Sequence, residues 1–212
     1  MPYRIETPRL ILRPMHDDDA ASMFDLDSRP EVLKYLGSPP FTDIEQSRAL
    51  IRKVQHQYEA HGIGRLVVEW KATGEFIGWA GLKYLTEPIN GHVHCHDIGY
   101  RLLPKFWGMG IATEASLASL DLAWNTMGLE KIYAGALPEN LASCAVLQKI
   151  GMHYVEQFEF VGLTWNWYEM DKPLGDAPKK AKSNLPGKRR SNPVGRAGTH
   201  IPVRQGDSPR QY

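Results

Sequence analysis

The stretch "DIGYRLLPKFWGMGIATEAS", Asp97 to Ser116, carries the strongest evidence about the fold because three local patterns meet in it. An alternating apolar segment leads through Pro-Lys-Phe-Trp into Gly-Met-Gly, and apolar residues at helical spacing follow. A strand, a glycine turn and a helix in this order leave backbone N–H groups unpaired at the positive end of the helix dipole. Turns of this kind bind anions, so the chemistry of the anion is the first question.

Two common nucleotide-binding loops do not match the turn. A P-loop has a lysine followed by Ser or Thr directly after its last glycine, where this chain has Ile111 and Ala112. A dinucleotide-binding fingerprint has a third Gly or Ala where Thr113 stands. A pyrophosphate cradle of another kind and a purely structural turn remain as alternatives.

The pyrophosphate cradle would start at a basic residue, Lys105, with Gly-Met-Gly following after two further residues. Gly108 and Gly110 allow a ligand to approach the backbone closely. The N–H groups of residues 107–112 and the helix dipole would then face the phosphates.

Length and composition indicate one folded domain. The chain has 212 residues, of which 42% are hydrophobic, and contains no run of 18 apolar residues. The first ten residues, "MPYRIETPRL", lack the apolar core of a signal peptide, so we expect a cytoplasmic protein without membrane contact. Two cysteines, Cys95 and Cys144, fall in predicted core elements and are expected to be reduced thiols.

The net charge of +1 conceals an uneven distribution. Residues 176–212 hold nine Lys and Arg against two acids, which leaves 16 bases and 22 acids in the rest of the chain. This basic tail contains scattered Pro and Gly and few large apolar residues, so we predict that it is disordered. Its runs "KKAK" and "GKRR" are compatible with nucleic-acid contact and equally with a solvated extension that has no partner.

Periodicity and turn residues predict a mixed order of elements. A capping pattern at Thr42 and Glu45 opens a helix that ends at Gly62. The predicted elements are a strand at 9–14, helices within 16–28 and over 42–62, a hairpin of strands at 66–70 and 76–84, a strand at 93–103, a helix at 112–127, a strand at 131–137, a helix at 140–151 and two closing strands. This order indicates an α+β domain with one central sheet rather than a doubly wound parallel fold.

Three separated motifs resemble the GNAT superfamily of acyl-CoA-dependent N-acyltransferases, and in particular its Rim-type branch of ribosomal-protein N-terminal acetyltransferases. They are "ETPRLILRP" at Glu6 to Pro14, "DIGYRLLPKFWGMGIATEA" at Asp97 to Ala115, and "NLASCAVLQKIGM" at Asn140 to Met152. The resemblance implies a single α+β GNAT-like domain over residues 1–175, with residues 176–212 as a separate tail. It also implies a central, mostly antiparallel mixed sheet flanked by helices, with acyl-CoA at the splay between two central strands.

The same resemblance implies acetyl-CoA as co-substrate, no metal, and direct transfer of the acetyl group to a primary amine in a ternary complex. The pyrophosphate would lie at Gly108 to Ala112, and the pantetheine would pair along the segment that ends at Arg101 to Leu103. The residues implied for cofactor binding are Tyr100, Arg101, Leu102, Leu103, Lys105, Trp107, Gly108, Met109, Gly110, Ile111, Ala112, Thr113, Asn140 and Ser143.

The departing thiolate requires a proton donor. In many superfamily members this is a tyrosine four residues before the glycine that ends the second helix, but here that position is Leu147. The Rim-type branch instead has an Asn and, three residues later, a Ser near the sulfur, and Asn140 and Ser143 match it. Ser143 is therefore the candidate proton donor, and the alternative is that it only caps a helix.

The candidate bases lie in "GHVHCHD", residues 91–97. On a continuous strand His92, His94 and His96 share one face, and Cys95 and Asp97 share the other. Several superfamily members carry a base on this strand, and His96 and His94 stand nearest to that position, while Asp97 is commonly acidic in the Rim-type branch. Two alternatives remain, a strand without a catalytic histidine and a His-x-His metal site, although the expected chemistry needs no metal.

Acceptor recognition is expected from the early helices, the loop at residues 84–91 and the last hairpin, where Trp165, Trp167 and Tyr168 either line a groove or pack. The acidic body suits a cationic amine, such as a peptide N-terminus, a polyamine or an aminoglycoside. Another class of function is a non-catalytic acyl-CoA sensor or adaptor that acts through the tail. The sequence leaves open whether the protein is a monomer or a homodimer.

Overall fold

The computed structural model describes residues 3–173, so the predicted basic tail at residues 176–212 lies outside the described part of the chain. The described residues form eight strands and five α-helices. The strands are β1 (Ile5–Glu6), β2 (Leu10–Arg13), β3 (Leu66–Trp70), β4 (Glu75–Leu85), β5 (Cys95–Leu102), β6 (Lys131–Ala136), β7 (His153–Phe160) and β8 (Leu163–Asp171). The α-helices are α1 (Ala20–Asp27), α2 (Pro30–Leu33), α3 (Ile44–His61), α4 (Ile111–Asp121) and α5 (Leu141–Lys149).

One open sheet in the order β1-β2-β3-β4-β5-β6-β8-β7 holds the domain together. Neighbouring strands are antiparallel except β5 and β6, which are parallel. The expectation of an α+β domain with a mostly antiparallel mixed sheet is confirmed, as is the hairpin of β3 and β4. The structure adds elements that were not predicted, namely β1, α2 and a 3-10 turn at Pro104–Phe106.

The two faces of the sheet carry different helices. On one face, Ile98 of β5 packs in a cluster with Leu120 of α4 and Leu147 of α5. On the other face, Met23 of α1 and Ile51 of α3 pack together with Val67 of β3. We call these the α4/α5 face and the α1/α3 face. Because side chains alternate along a strand, each residue of β5 belongs to one of the two.

The predicted cap of the long helix was wrong by one residue. Asp43, not Thr42, is the N-cap, and its carboxylate accepts a hydrogen bond from Glu45 N at 2.9 Å. The reciprocal bond comes from Gln46, whose side-chain oxygen accepts from Asp43 N at 3.1 Å. The predicted end is confirmed, because Gly62 follows α3 with a φ of +70°.

Two further boundaries differ from the predictions. The helix predicted to run to residue 127 ends as an α-helix at Asp121 and continues as a π-helix over Leu122–Thr126. The strand predicted from Val93 begins only at Cys95. Within residues 3–173, no helix is long and apolar enough to cross a membrane.

Candidate active site

The sheet opens between its two parallel strands. The ladder between β5 and β6 consists of one pair in the described residues, Asp97 with Tyr133, whereas β5 continues to pair with β4 as far as Leu102. The strands therefore part beyond Asp97, and α5 begins shortly after the end of β6. This opening extends from the Asp97–Tyr133 pair to the first turn of α5. Tyr100, Asn140 and Ser143, which were predicted to contact acetyl-CoA, lie together there.

Ser143 and Tyr100 meet at the opening on the α4/α5 face. The hydroxyl oxygen of Ser143 lies 2.9 Å from the phenol oxygen of Tyr100. Burial raises the pKa of Tyr100 to about 12, although the hydrogen bond with Ser143 acts in the opposite direction. The phenol therefore stays protonated at neutral pH and can donate to Ser143.

Asn140, and not Ser143, performs the capping. The side-chain oxygen of Asn140 accepts a hydrogen bond from Ser143 N at 3.1 Å, which leaves the Ser143 hydroxyl to Tyr100. Leu147, at the position where other superfamily members have tyrosine, is buried in the core. The tyrosine that bonds to the Ser143 hydroxyl in the described part of the chain is Tyr100, which comes from a strand rather than from the helix.

The glycine turn has the conformation of an anion-binding loop. Gly108 and Gly110 have φ values of +73° and +76°, and no side chain of residues 3–173 caps the N-terminus of α4, which starts at Ile111. A Cβ at Gly108 would meet no described atom within 4 Å, so the space beside the turn is open. Trp107 and Met109 are about half exposed next to it. These features fit a diphosphate held by backbone N–H groups.

The other predicted cofactor residues contribute in different ways. Leu102 and Leu103 are buried, and Arg101 forms an ion pair with Asp27 at 2.5 Å, so none of these three presents a free polar side chain to a ligand. Lys105 forms an ion pair with Glu75 and extends over the Phe106 ring. Ile111, Ala112 and Thr113 form the first turn of α4, where N–H groups lack a helical partner.

The prediction that three histidines share one strand face was wrong. Asn90 and Gly91, with φ values of +48° and +75°, form a tight turn in which Ile89 and His92 bond to each other through both backbone groups at 2.9 Å. His94, with a φ of +57°, also precedes the strand. His92 is therefore separated from His94 and His96, and its ring stacks on that of Trp167, with ring centroids 5.3 Å apart.

His94 and His96 lie around Tyr84 together with His61. Their ring centroids are 6.1, 5.2 and 4.4 Å from the Tyr84 centroid, respectively. Burial lowers the pKa of His96, while the charge of Asp97 opposes this shift. His96 shares the α4/α5 face with Tyr100, but four residues of strand separate them by about 13 Å.

Asp97 occupies the α1/α3 face at the point where β5 and β6 part. Arg65 donates to its Oδ2 at 2.7 Å, and its Oδ1 has no hydrogen-bond partner in the described residues. Burial lowers the pKa of the neighbouring Lys83, an effect that the Asp97 carboxylate opposes. Trp79 lies between Arg65 and Arg101, whose guanidinium carbons are 5.4 and 5.1 Å from its ring centroid.

The aromatic residues of the last hairpin mostly serve the core. Trp167 and Tyr168 are buried, which favours packing over a groove lining for both. Trp165 remains half-buried. Among residues 3–173, no three His, Cys, Asp or Glu side chains come together in a group that could hold a metal ion.

Comparisons with known proteins agree with this architecture. Residues 9–153 match the family model described as the acetyltransferase (GNAT) domain. An uncharacterised N-acetyltransferase, p20 of Bacillus licheniformis, is 34% identical over 68% of this chain and 79% of its own. The family model covers most of the described residues, including the glycine turn.

Two solved structures illustrate the shared fold. The RimL ribosomal L7/L12 α-N-protein acetyltransferase in complex with coenzyme A is 19% identical, with a TM-score of 0.68 over 80% of this chain and 98% of its own. The spermidine N-acetyltransferase of Vibrio cholerae in complex with coenzyme A and spermine is 19% identical, with a TM-score of 0.64 over 78% and 97%. With the family match, they lead to the conclusion that the chain belongs to the GNAT family and is an acetyl-CoA-dependent N-acetyltransferase.

Proposed function

We propose that the protein transfers the acetyl group of acetyl-CoA directly to a primary amine, with the donor and the acceptor approaching from opposite faces of the sheet. The observation that carries this proposal is the position of Ser143 and Asp97. Ser143, through Tyr100, is tied to β5 on the α4/α5 face, and Asp97 lies on the α1/α3 face of the same strand. An opening between β5 and β6 connects the two faces.

Amine attack on a thioester needs a neutral amine and a proton for the departing thiolate. Acetyl-CoA supplies the activated acyl group. The Ser143 hydroxyl donates the proton to the thiolate, and the Tyr100 phenol donates to Ser143 Oγ, which makes the serine proton easier to give up. Asp97 accepts a proton from the amine, directly or through water, and Arg65 orients its carboxylate.

The turn from Gly108 to Gly110 and the first N–H groups of α4 hold the diphosphate of coenzyme A. This assignment is supported by the open space beside Gly108 and the absence of a side-chain cap on the described α4 helix. Asp97 is preferred as base over His94 and His96 because it lies on the α1/α3 face, opposite to Ser143, whereas both histidines pack around Tyr84.

The acceptor is a peptide or protein N-terminus or a small cationic amine. Two related folds act on such amines, according to their names: one on a ribosomal protein and one on spermidine. The excess of acids over bases outside residues 176–212 favours a cationic acceptor in this chain as well.

The test is release of free thiol from acetyl-CoA in the presence of spermidine, an aminoglycoside, and peptides with free or blocked N-termini, followed by the mass of the product. An acetylated amine with a mass increase of one acetyl group supports the proposal. Tight binding of acetyl-CoA without thiol release for any amine would instead identify a non-catalytic sensor or adaptor.

A further inference from the structure

We infer that Arg9 is a positioning residue of the coenzyme A site, an inference that rests on the proposed function. Arg9 precedes β2 by one residue and lies about a hundred positions from the glycine turn in the sequence. In the structure its guanidinium reaches that turn, where Nη1 donates to the Met109 carbonyl oxygen at 3.0 Å. Met109 separates Gly108 and Gly110, so this bond fixes the peptide unit at the centre of the turn.

A carboxylate holds Arg9 in this position. Glu114, in the first turn of α4, accepts from Arg9 Nε at 2.6 Å and from Arg9 N at 3.1 Å. Thr7 donates to the same carboxylate at 2.6 Å. Burial raises the pKa of Glu114, but the bonds from Thr7 and Arg9 lower it by more, so the carboxylate is ionised at neutral pH. The side chain of Arg9 is therefore fixed on both its main-chain and its Nε side.

The remaining nitrogen of Arg9, Nη2, lies beside Gly110, the residue that precedes α4. Nη2 has no hydrogen-bond partner in the described residues, and a Cβ at Gly110 would lie 3.6 Å from it. The Arg9 side chain is 39% exposed, so solvent and a ligand can reach this edge. A guanidinium N–H next to a helix N-terminus is well placed to donate to a phosphate oxygen.

Lys105 is the residue that the sequence motif suggests for this role, yet its ammonium group pairs with Glu75. This group also lies 5.0 Å from the centre of the Phe106 ring. The geometry therefore assigns the side-chain cation of the phosphate site to Arg9. Two effects are expected from it, a fixed turn and one charge-assisted hydrogen bond.

The test compares Arg9→Gln, Arg9→Lys and Lys105→Gln, with Arg4→Gln as a matched control. Arg4 belongs to the same N-terminal segment but is exposed and pairs only with Glu6 among the described residues. Calorimetry would measure the affinity of each variant for coenzyme A, for dephospho-coenzyme A and for pantetheine, which lacks the diphosphate. Thermal unfolding of each variant checks that the domain remains folded.

We expect Arg9→Gln to weaken binding of both coenzyme A forms about 10- to 100-fold and to leave pantetheine binding unchanged. Arg9→Lys should recover part of the loss, and kcat at saturating donor should change little. Lys105→Gln should weaken coenzyme A binding by a smaller factor than Arg9→Gln, and Arg4→Gln should stay within about twofold of wild type. Equal coenzyme A affinity of Arg9→Gln and wild type, or an equal loss for pantetheine, would overturn the inference. If the wild-type protein binds no coenzyme A at all, the proposed function itself fails.

Discussion

The phenol oxygen of Tyr100 lies 2.9 Å from the hydroxyl oxygen of Ser143, and this hydrogen bond links β5 to the first turn of α5 across the opening in the sheet. The relationship explains how a GNAT domain with leucine at position 147 can still place a tyrosine phenol at the proposed sulfur site. The tyrosine comes from the strand, and the serine hydroxyl stands between the two. Tyr100 also packs against the buried cluster that contains Leu102 and Ile111, and Ser143 N donates to the Asn140 side chain.

Removing the Ser143 hydroxyl should slow the chemical step. We expect Ser143→Ala to lower kcat by about 100-fold, within the usual range for a proton donor, and Tyr100→Phe to lower it by about tenfold because Ser143 remains. The KM for acetyl-CoA should change by less than about threefold. Steady-state kinetics with a fixed amine measures both constants.

Two matched variants control for structural damage. Ser119 donates its hydroxyl to the Ala115 carbonyl within α4, and Tyr58 is, like Tyr100, a half-buried tyrosine, whose phenol accepts from Met15 N. Ser119→Ala and Tyr58→Phe should lower stability without lowering kcat. Normal turnover by Ser143→Ala would remove this residue from the mechanism.

The glycine turn offers a test that uses backbone conformation alone. Gly108→Ala places a Cβ on a residue with a φ of +73°, which costs about 1 kcal/mol, and intrudes on the proposed phosphate site. The KM for acetyl-CoA should rise at least about tenfold. Gly128→Ala carries nearly the same strain, with a φ of +67° and no described atom within 4 Å, but lies outside the site. Equal KM values for the two variants would contradict the assignment.

Local patterns in the sequence were sufficient for much of the fold. The hairpin of β3 and β4 and the end of α3 at Gly62 were predicted because turn residues and periodicity act within a few positions. The cap was misplaced because Thr42 and Asp43 are both good caps, and each has Glu or Gln three residues later. Only the hydrogen bonds in the structure distinguish between them.

The sequence contains a signal that His92, His94 and His96 do not lie on one continuous strand. Asn90-Gly91 is a strong turn dipeptide, and reading it as a hairpin turn would have separated His92 from His96. The position of Arg9 had no such signal, because its partners Met109 and Glu114 lie about a hundred residues away. Tyr100 was expected to contact the cofactor, but its bond to Ser143 also depends on tertiary packing.

Acid stability should depend on the ion pair that connects β2 to Asp19, the residue directly before α1. Arg13 donates to both carboxylate oxygens of Asp19 at 2.7 and 2.8 Å. Burial raises the pKa of Asp19, but the bonds from Arg13 and from His16 N lower it by more, so the folded-state pKa lies below 3.8. The stabilisation is therefore complete above pH 3.8 and is lost as the pH falls through the folded-state pKa.

Asp19→Asn should accordingly lower the free energy of unfolding by about 2 kcal/mol at pH 7, and the gap to wild type should narrow below pH 3.8. Urea unfolding of the variant and the wild type, at pH 7 and below pH 3.8, measures this difference in the free energy of unfolding. Asp25→Asn breaks an exposed pair with Arg29 and should cost less than about 0.5 kcal/mol. A difference in free energy of unfolding between Asp19→Asn and wild type that does not change with pH would show that the charge of Asp19 does not cause the loss of stability.

An experiment that identifies the general base is a direct test of the proposed mechanism. Asp97→Asn should lower kcat/KM by about 100-fold at neutral pH, because the amine loses its proton acceptor at the opening of the sheet. His96→Asn should change it by less than about threefold. If His96 were the base, activity would be lost on acidification through its pKa, which burial holds below 6.5, and His96→Asn would abolish that acid limb. A pH profile of kcat/KM for wild type, Asp97→Asn and His96→Asn decides between the two residues. Arg65→Gln adds a positioning control, because loss of the 2.7 Å bond from Arg65 should misorient the Asp97 carboxylate. This variant should lower kcat/KM by a smaller factor than Asp97→Asn does.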